Sequence, residues 1–264
     1  MTALYAYTAL VLLALTGPIA VVVAASFTGG DTMGFPPEGW SLRWYRAFLN
    51  DNEFVDAAWV SVQVATYVSA LSTVLGTAAA LALTWRFPGR GALAAFLALP
   101  LGIPAVVLGL AFLVLYTQMG FGGTKAGIVA GHVVFTLPFV LRLVGASLAR
   151  GAGNDAGNTA RAAAGLGAPP WRVFWHVTLP SIRAGVVGGA VFAAILSFDE
   201  VVISLFLSGP DAVTLPVRIF TYVDQSPGPV VLAAGAVLVA GALAVFAILE
   251  ITVGTSRAFG LEQR

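Results

Sequence analysis

The segment ARGAGNDAGNTARAAAGLGAPPWRVFWHVTLPSIRAG, residues 149–185, decides the architecture, because its helix signals are punctuated where a simple connector would have none. Asn158 or Thr159 can cap a short helix over residues 160–165, and Gly167 supplies a left-handed stop. Pro169 and Pro170 then prevent continuation, since proline lacks the backbone donor that a helix interior needs. A second helical piece over residues 171–177 is expected to end at Leu179 and Pro180. The segment far exceeds the roughly dozen residues of an ordinary connection. It predicts a helix, a sharp glycine turn and another helix, presented to the cytosol.

On either side of this segment the charges become sparse. Of 264 residues, 59% are hydrophobic and only 9% charged, and the mean hydropathy is +0.93. Such a composition cannot cover a solvated surface, which excludes a soluble enzyme. A helix needs about 20 apolar residues to cross the hydrocarbon core, and reading between the charges gives six spans, at residues 3–26, 57–84, 92–116, 126–148, 184–208 and 230–253. The first has no basic stretch ahead of it and is longer than the apolar part of a secretory signal, so it reads as a retained helix. Nothing subdivides the membrane part, and residues 1–264 read as one transmembrane domain.

Arg86, Arg90, Arg150, Arg161, Arg172, Arg183, Arg257 and Arg264 fall on one side of these spans. Arg43, Arg46, Lys125 and Arg218 fall on the other, with Arg142 inside the fourth span. Because short cytoplasmic loops retain Lys and Arg, both termini are expected in the cytoplasm and residues 31–56 outside. Pro100 and Pro104 interrupt the third span and Pro138 the fourth, which implies a protein-lined or wet interior around the freed carbonyls. Small residues recur at spacing four, at Ser72, Gly76 and Ala80 and again at Ala184, Gly188 and at Gly185, Gly189, as close helix packing in a bilayer favours.

Other signals fail on inspection. The 13 basic and 12 acidic residues leave a net charge of +1, too little excess for a nucleic-acid partner. There is no cysteine, and His132 and His176 are the only histidines, so no metal site is expected. GGTK at residues 122–125 lacks the upstream glycine and the following Ser or Thr of a phosphate loop, and no cofactor is expected. His132 reads as a hydrogen-bonded packing residue and Arg142 as a side chain snorkelling to the interface. No nucleophile and base stand at usable spacing for a membrane-embedded enzyme.

Arg161, Ala162, Ala163, then Gly167, then Val177, Leu179 and Pro180 stand at the spacing of E-A-A, three residues, Gly, nine residues, Ile, one residue, Leu-Pro. In this the chain resembles the permease subunits of bacterial ABC importers, with Arg161 where that family usually has Glu. FPPEGWSLRWYRAFL (35–49), LPLGIPAVVLGLAFL (99–113), HVVFTLPFVLRLV (132–144) and SFDEVVISLFLSGP (197–210) are similar to the second permease subunit of spermidine/putrescine importers. The resemblance implies an all-helical type I importer fold with six transmembrane helices and a coupling helix, residues 158–180, between helices four and five. It also implies two ATP-binding subunits, a second permease subunit that is either a homologue or an identical copy, an extracytoplasmic solute-binding protein, and residence in the inner membrane among its lipids. The solute implied is a polyamine. Permeases for thiamine, ferric iron, phosphonate or organic amines are relatives that stay open, as does a secondary transporter of similar composition.

Asp199 and Glu200 lie in the fifth span as read from the sequence. An ionised carboxylate there costs several kcal/mol unless it is paired or hydrated. Both are therefore candidates for the solute path. Successive residues of a helix point about 100° apart, so one of the two is expected to face the path while the other packs or pairs.

Overall fold

The computed structural model describes residues 1–153, 155–225 and 227–253. In chain order the helices are α1 (Thr2–Ala25), α2 (Arg43–Asn50), α3 (Asn52–Ala82), α4 (Arg90–Ala98), α5 (Ala105–Gln118), α6 (Lys125–Gly153), α7 (Asp155–Gly165), α8 (Pro170–Val173), α9 (Leu179–Phe198), α10 (Val202–Leu207), α11 (Leu215–Gln225) and α12 (Val230–Val253). A 3-10 turn over Leu99–Gly102 follows α4, and a π turn over Phe174–Thr178 joins α8 to α9. Apart from two isolated bridges, no strand occurs among the described residues. Arg257 and Arg264, which entered the charge count, lie outside the described residues, as does the side chain of Asn158.

Among the described residues, five helical stretches are long and apolar enough to cross a membrane: Leu4–Ala25, Asn52–Ala82, Lys125–Arg150, Pro170–Phe198 and Val230–Ala247. A sixth crossing comes from Arg90–Gly102 with Ala105–Gln118 if that pair, bent by 106°, is one span. The bend falls where Pro100 and Pro104 were expected to interrupt it, and Pro104 caps α5. Proline fixes φ and removes a donor, so the chain redirects there at low cost.

The chain divides into two compact units. The first comprises Met1–Val60 and Val213–Leu243. Its core gathers Phe48, Phe54, Ala57, Leu215, Val230 and Ala234, with the Phe48 and Phe54 rings 5.4 Å apart. The Arg218 guanidinium forms an ion pair with Glu53 and lies over the Phe54 ring at 5.3 Å, so one side chain joins α11 to the start of α3 by charge and by stacking. Asp51 Oδ1 starts α3 by accepting from the Glu53 and Phe54 N–H groups at 2.9 and 3.4 Å.

The second unit holds Ser61–Ala212 and the described residues from 244 onward. Here α6 is the central element. Val140, fully buried, fills the space left by two glycines: a methyl group on Gly76 of α3 would come within 2.8 Å of it, and one on Gly189 of α9 within 3.0 Å. The sequence-level row at Gly185 and Gly189 is thus a packing row against α6, whereas Gly188 faces open space. Ser72 and Thr136 add a buried hydrogen bond of 2.7 Å between α3 and α6.

Two boundaries differ from those read in the sequence. The second helical piece of residues 149–185 does not end at Leu179 and Pro180. It runs through the π turn into α9, and the helix is continuous from Pro170 to Phe198. The π turn explains this: Leu179 N–H donates to the Phe174 carbonyl five residues back, so the helix is already widened where Pro180 lacks a donor. The fifth span, expected at residues 184–208, stops at Phe198, and α10 begins separately at Val202. In addition, α7 begins at Asp155, ahead of the cap expected at Asn158 or Thr159. The alanine-rich run has enough helix propensity to extend to the residues before it.

Candidate functional site

The sequence-predicted residues fall at the two ends of the helical rod Pro170–Phe198, both within the second unit. At its start is a helical hairpin. Helix α7 closes with Gly167 N–H donating to the Ala164 carbonyl and Ala168 N–H to the Ala163 carbonyl, both at 3.0 Å. Gly167 has φ +87°, a left-handed conformation that only glycine adopts freely. Pro169 is extended and Pro170 opens α8. Arg161, Ala162, Gly167 and Pro180 are exposed, while Ala163, Val177 and Leu179 are half-buried. Leu179 packs against the cluster of Val140, Val144 and Ile182, which anchors the hairpin to the unit's core.

Sequence reasoning passed over Leu166. It is 90% exposed beside Gly167, an apolar side chain at the tip of a turn, and Trp171 and Trp175 are exposed just beyond it. The signal was present: a leucine at the last residue before a left-handed glycine cannot be covered by its own helix.

At the other end, residues 199–201 interrupt the helix, and a carboxylate makes the interruption. Glu200 Oε1 accepts from Val202 N–H and Oε2 from Ser204 N–H, each at 3.0 Å, which satisfies the first donors of α10 and diverts them from continuing α9. His132 of α6 backs this arrangement. Its ring is fully buried, with Nδ1 2.9 Å from Ser197 Oγ, Nε2 2.9 Å from Ser204 Oγ, and Nε2 3.6 Å from Glu200 Oε2. Every polar atom of the ring therefore has a partner, on both sides of the break. His132 is the packing residue the sequence suggested, but its role as partner of Glu200 was missed. Both sit in apolar stretches and both need a buried polar partner, which was the available clue.

Asp199, adjacent in sequence, is in the opposite situation. It is exposed, and its carboxylate makes no hydrogen bond or ion pair among the described residues. The two acids therefore differ in burial, one facing out and one locked in, but both stand in the break after Phe198, where the 100° spacing of a continuous helix does not apply. Arg142, the sole basic residue within a predicted span, does not serve either acid; it is exposed and without an ion-pair partner among the described residues. No three His, Asp or Glu side chains converge to hold a metal ion among the described residues.

Residues 72–253 match the family model described as binding-protein-dependent transport system inner membrane component. The putrescine transport system permease protein PotI of Escherichia coli strain K12 is 34% identical over 215 residues, covering 78% of this chain and 75% of its own length. The spermidine/putrescine transport system permease protein PotC of the same strain is 30% identical over 239 residues, covering 90% of this chain and 86% of its own. In fold, the chain is similar to a subunit in the crystal structure of a bacterial ABC transporter that imports the acidic polysaccharide alginate. The TM-score is 0.66 at 15% identity, over 99% of this chain and 95% of that one.

Proposed function

The chain belongs to the family of binding-protein-dependent transport system inner membrane components, and we propose that the solute it passes as an ABC importer permease is a polyamine of the putrescine or spermidine kind. It is a multi-pass inner-membrane transport subunit. One observation carries the reading of mechanism: a single rod, Pro170–Phe198, runs from the exposed hairpin to the break where Asp199 stands free. A carboxylate without a fixed counter-ion in a membrane protein is best balanced by water or by a passing cation. A diamine or triamine supplies that cation, and the names of PotI and PotC favour the same class. Glu200 acts by holding the geometry of the break and not by touching the solute.

The remaining parts follow from this. Two separate ATP-binding subunits hydrolyse ATP, and the hairpin from Arg161, Ala162 and Ala163 through Gly167 to Val177, Leu179 and Pro180 docks on one of them, with Leu166 at the contact. A second permease subunit completes the pathway, and an extracytoplasmic binding protein delivers the solute. Both termini are cytoplasmic, residues 31–56 are outside, and the chain works as one transmembrane domain. Closure of the ATP-binding subunits pushes the hairpin, and the rod carries that displacement to the break, biasing the path between outward and inward access. No covalent chemistry takes place in this chain.

The test is ATP-dependent uptake into proteoliposomes holding the permease pair, the ATP-binding subunits and the binding protein. Labelled putrescine and spermidine should accumulate, while thiamine, ferric iron and phosphonate should not. Uptake of one of those in place of polyamines would overturn the assignment. Cysteine labelling at Asn50, clean because the chain has no cysteine, should occur only from outside.

A further inference from the structure

A cavity of about 640 Å³ opens in the second unit where the end of α3, the start of α4, the late part of α6 and the start of α9 meet. Thr84, Trp85, Arg90, Arg142, Thr178 and Ser181 line it, together with apolar residues, and no acid does among the described residues. Neither guanidinium has an ion pair or hydrogen bond among the described residues. Two of the three hydroxyl hydrogens are already committed, Thr84 Oγ1 donating to the Leu81 carbonyl and Ser181 Oγ to the Thr178 carbonyl, both at 2.7 Å. The cavity therefore offers two guanidinium groups with unused donors and, among the described residues, no carboxylate to neutralise them.

We propose that this cavity binds the phosphate of an anionic phospholipid headgroup. Arg142 lies within the membrane-crossing stretch Lys125–Arg150, and its position eight residues before Arg150 places its Cα about 12 Å along the helix from that end. A guanidinium rooted so deep needs a counter-charge, and a headgroup phosphate reached by snorkelling is the anion that a bilayer supplies there. The planar fork of arginine matches phosphate oxygens in pairs, and two arginines can hold one phosphate from two directions. Trp85, which lines the cavity and is 72% exposed, is the residue type that settles at headgroup depth. A soluble anion would have to reach the same guanidinium from the aqueous phase, past the level of Arg150. The two positive charges also close this cavity to a cationic solute. Ala160, Thr178 and Ser181 belong to the hairpin and the rod, so the lipid would sit against the moving part. The inference rests on the membrane reading of the chain and not on the identity of the solute, so its failure would leave the polyamine assignment standing.

The test is native mass spectrometry of the assembled complex after exposure to an equimolar mixture of phosphatidylglycerol and phosphatidylcholine. We expect phosphatidylglycerol to be retained on this chain in preference to phosphatidylcholine. Arg90→Gln and Arg142→Gln should each lose most of that retention, Arg142→Lys should keep most of it, and Arg46→Gln, in the first unit, should not change it. Equal retention of the two lipids by the unsubstituted chain overturns the proposal, as does unchanged retention in the double Gln variant. If millimolar inorganic phosphate displaces the lipid completely, the site takes a soluble anion and the lipid assignment is wrong. If the Gln variants keep phosphatidylglycerol but release the ATP-binding subunits, the arginines form a protein-docking surface, which also overturns it. Should the Gln variants not assemble, the lipid preference of the unsubstituted chain and the behaviour of Arg142→Lys decide alone.

Discussion

The turn at Gly167 and the break at residues 199–201 both interrupt helices of one unit, at opposite ends of one rod, and they are built in contrary ways. The turn is local: two backbone hydrogen bonds, one left-handed glycine and a pair of prolines within five residues define it, and it is exposed. The break is non-local: Ser197 and Ser204 by hydrogen bonds and Glu200 by a 3.6 Å charge contact converge on His132, a residue more than sixty positions earlier in the chain. A local, exposed turn can be altered without unfolding anything, whereas a buried network ties the same residues to the stability of the whole unit. Substitutions at the turn should therefore change transport more than stability, and those in the network should change stability first.

The largest effect is expected at His132. His132→Ala strands two serine hydroxyls and leaves Glu200 without its ring partner, and breaking a buried charged arrangement of this kind costs about 3–5 kcal/mol. Thermal unfolding of the detergent-solubilised protein should reveal a markedly lower midpoint and poor yield; an unchanged midpoint would mean that the break is held by something else. Next comes Asp199→Asn. Losing one unscreened charge contact with a cationic solute is worth about 1–3 kcal/mol, roughly a ten- to hundredfold drop in polyamine uptake. Its unfolding midpoint should match that of the unsubstituted chain, while Glu200→Gln should show the reverse, lower stability with the solute preference retained. The same outcome for both acids, in either assay, would erase the distinction drawn between them.

Gly167→Val should come third. Forcing a β-branched residue into the left-handed region costs roughly 1–2 kcal/mol, and no neighbouring atom lies within reach of an added methyl group. The expected signature is ATP hydrolysis that no longer responds to loaded binding protein, with normal insertion and a midpoint lowered far less than in His132→Ala. A lowered midpoint equal to that of His132→Ala would show that the turn is not local after all. The smallest effect belongs to Arg161→Glu, which restores the residue usual in the family on an exposed helix face. A change of about 0–1 kcal/mol, typical of an exposed charge contact, corresponds to no more than a few-fold change in uptake.

The same contrast explains what could be read from the sequence. The glycine turn was legible because all its determinants are contiguous, and the six apolar stretches were legible because charge spacing records bilayer thickness. The end of the fifth span was not, since VVISLFL after Glu200 is as apolar as any span interior and composition carries no mark of the break. Its cause is the capture of two N–H groups by a carboxylate that only the fold places beside His132. Pro180 misled in the other direction: proline ordinarily ends a helix, but here the preceding π turn had already opened the hydrogen-bond ladder. The expectation that helix geometry separates the two adjacent acids did not apply, because both fall in the break, and which of them faces out was answered only by the contacts.

That π turn also sets a phase. In an uninterrupted α-helix, residues seven apart lie nearly on one face, so Trp175 and Ile182 would point the same way. Yet Trp175 is 59% exposed and Ile182 is 1% exposed. The wide turn spends one extra residue between them, which rotates everything before it by about 100° relative to α9. The tryptophans are thereby swung off the face that packs on Val140 and Val144 and turned outward. Deleting a single residue within Phe174–Thr178 would leave the composition almost untouched, yet it would turn the aromatic face of α8 toward the core it now avoids. The length of this segment, counted to one residue, aims the surface at the head of the rod.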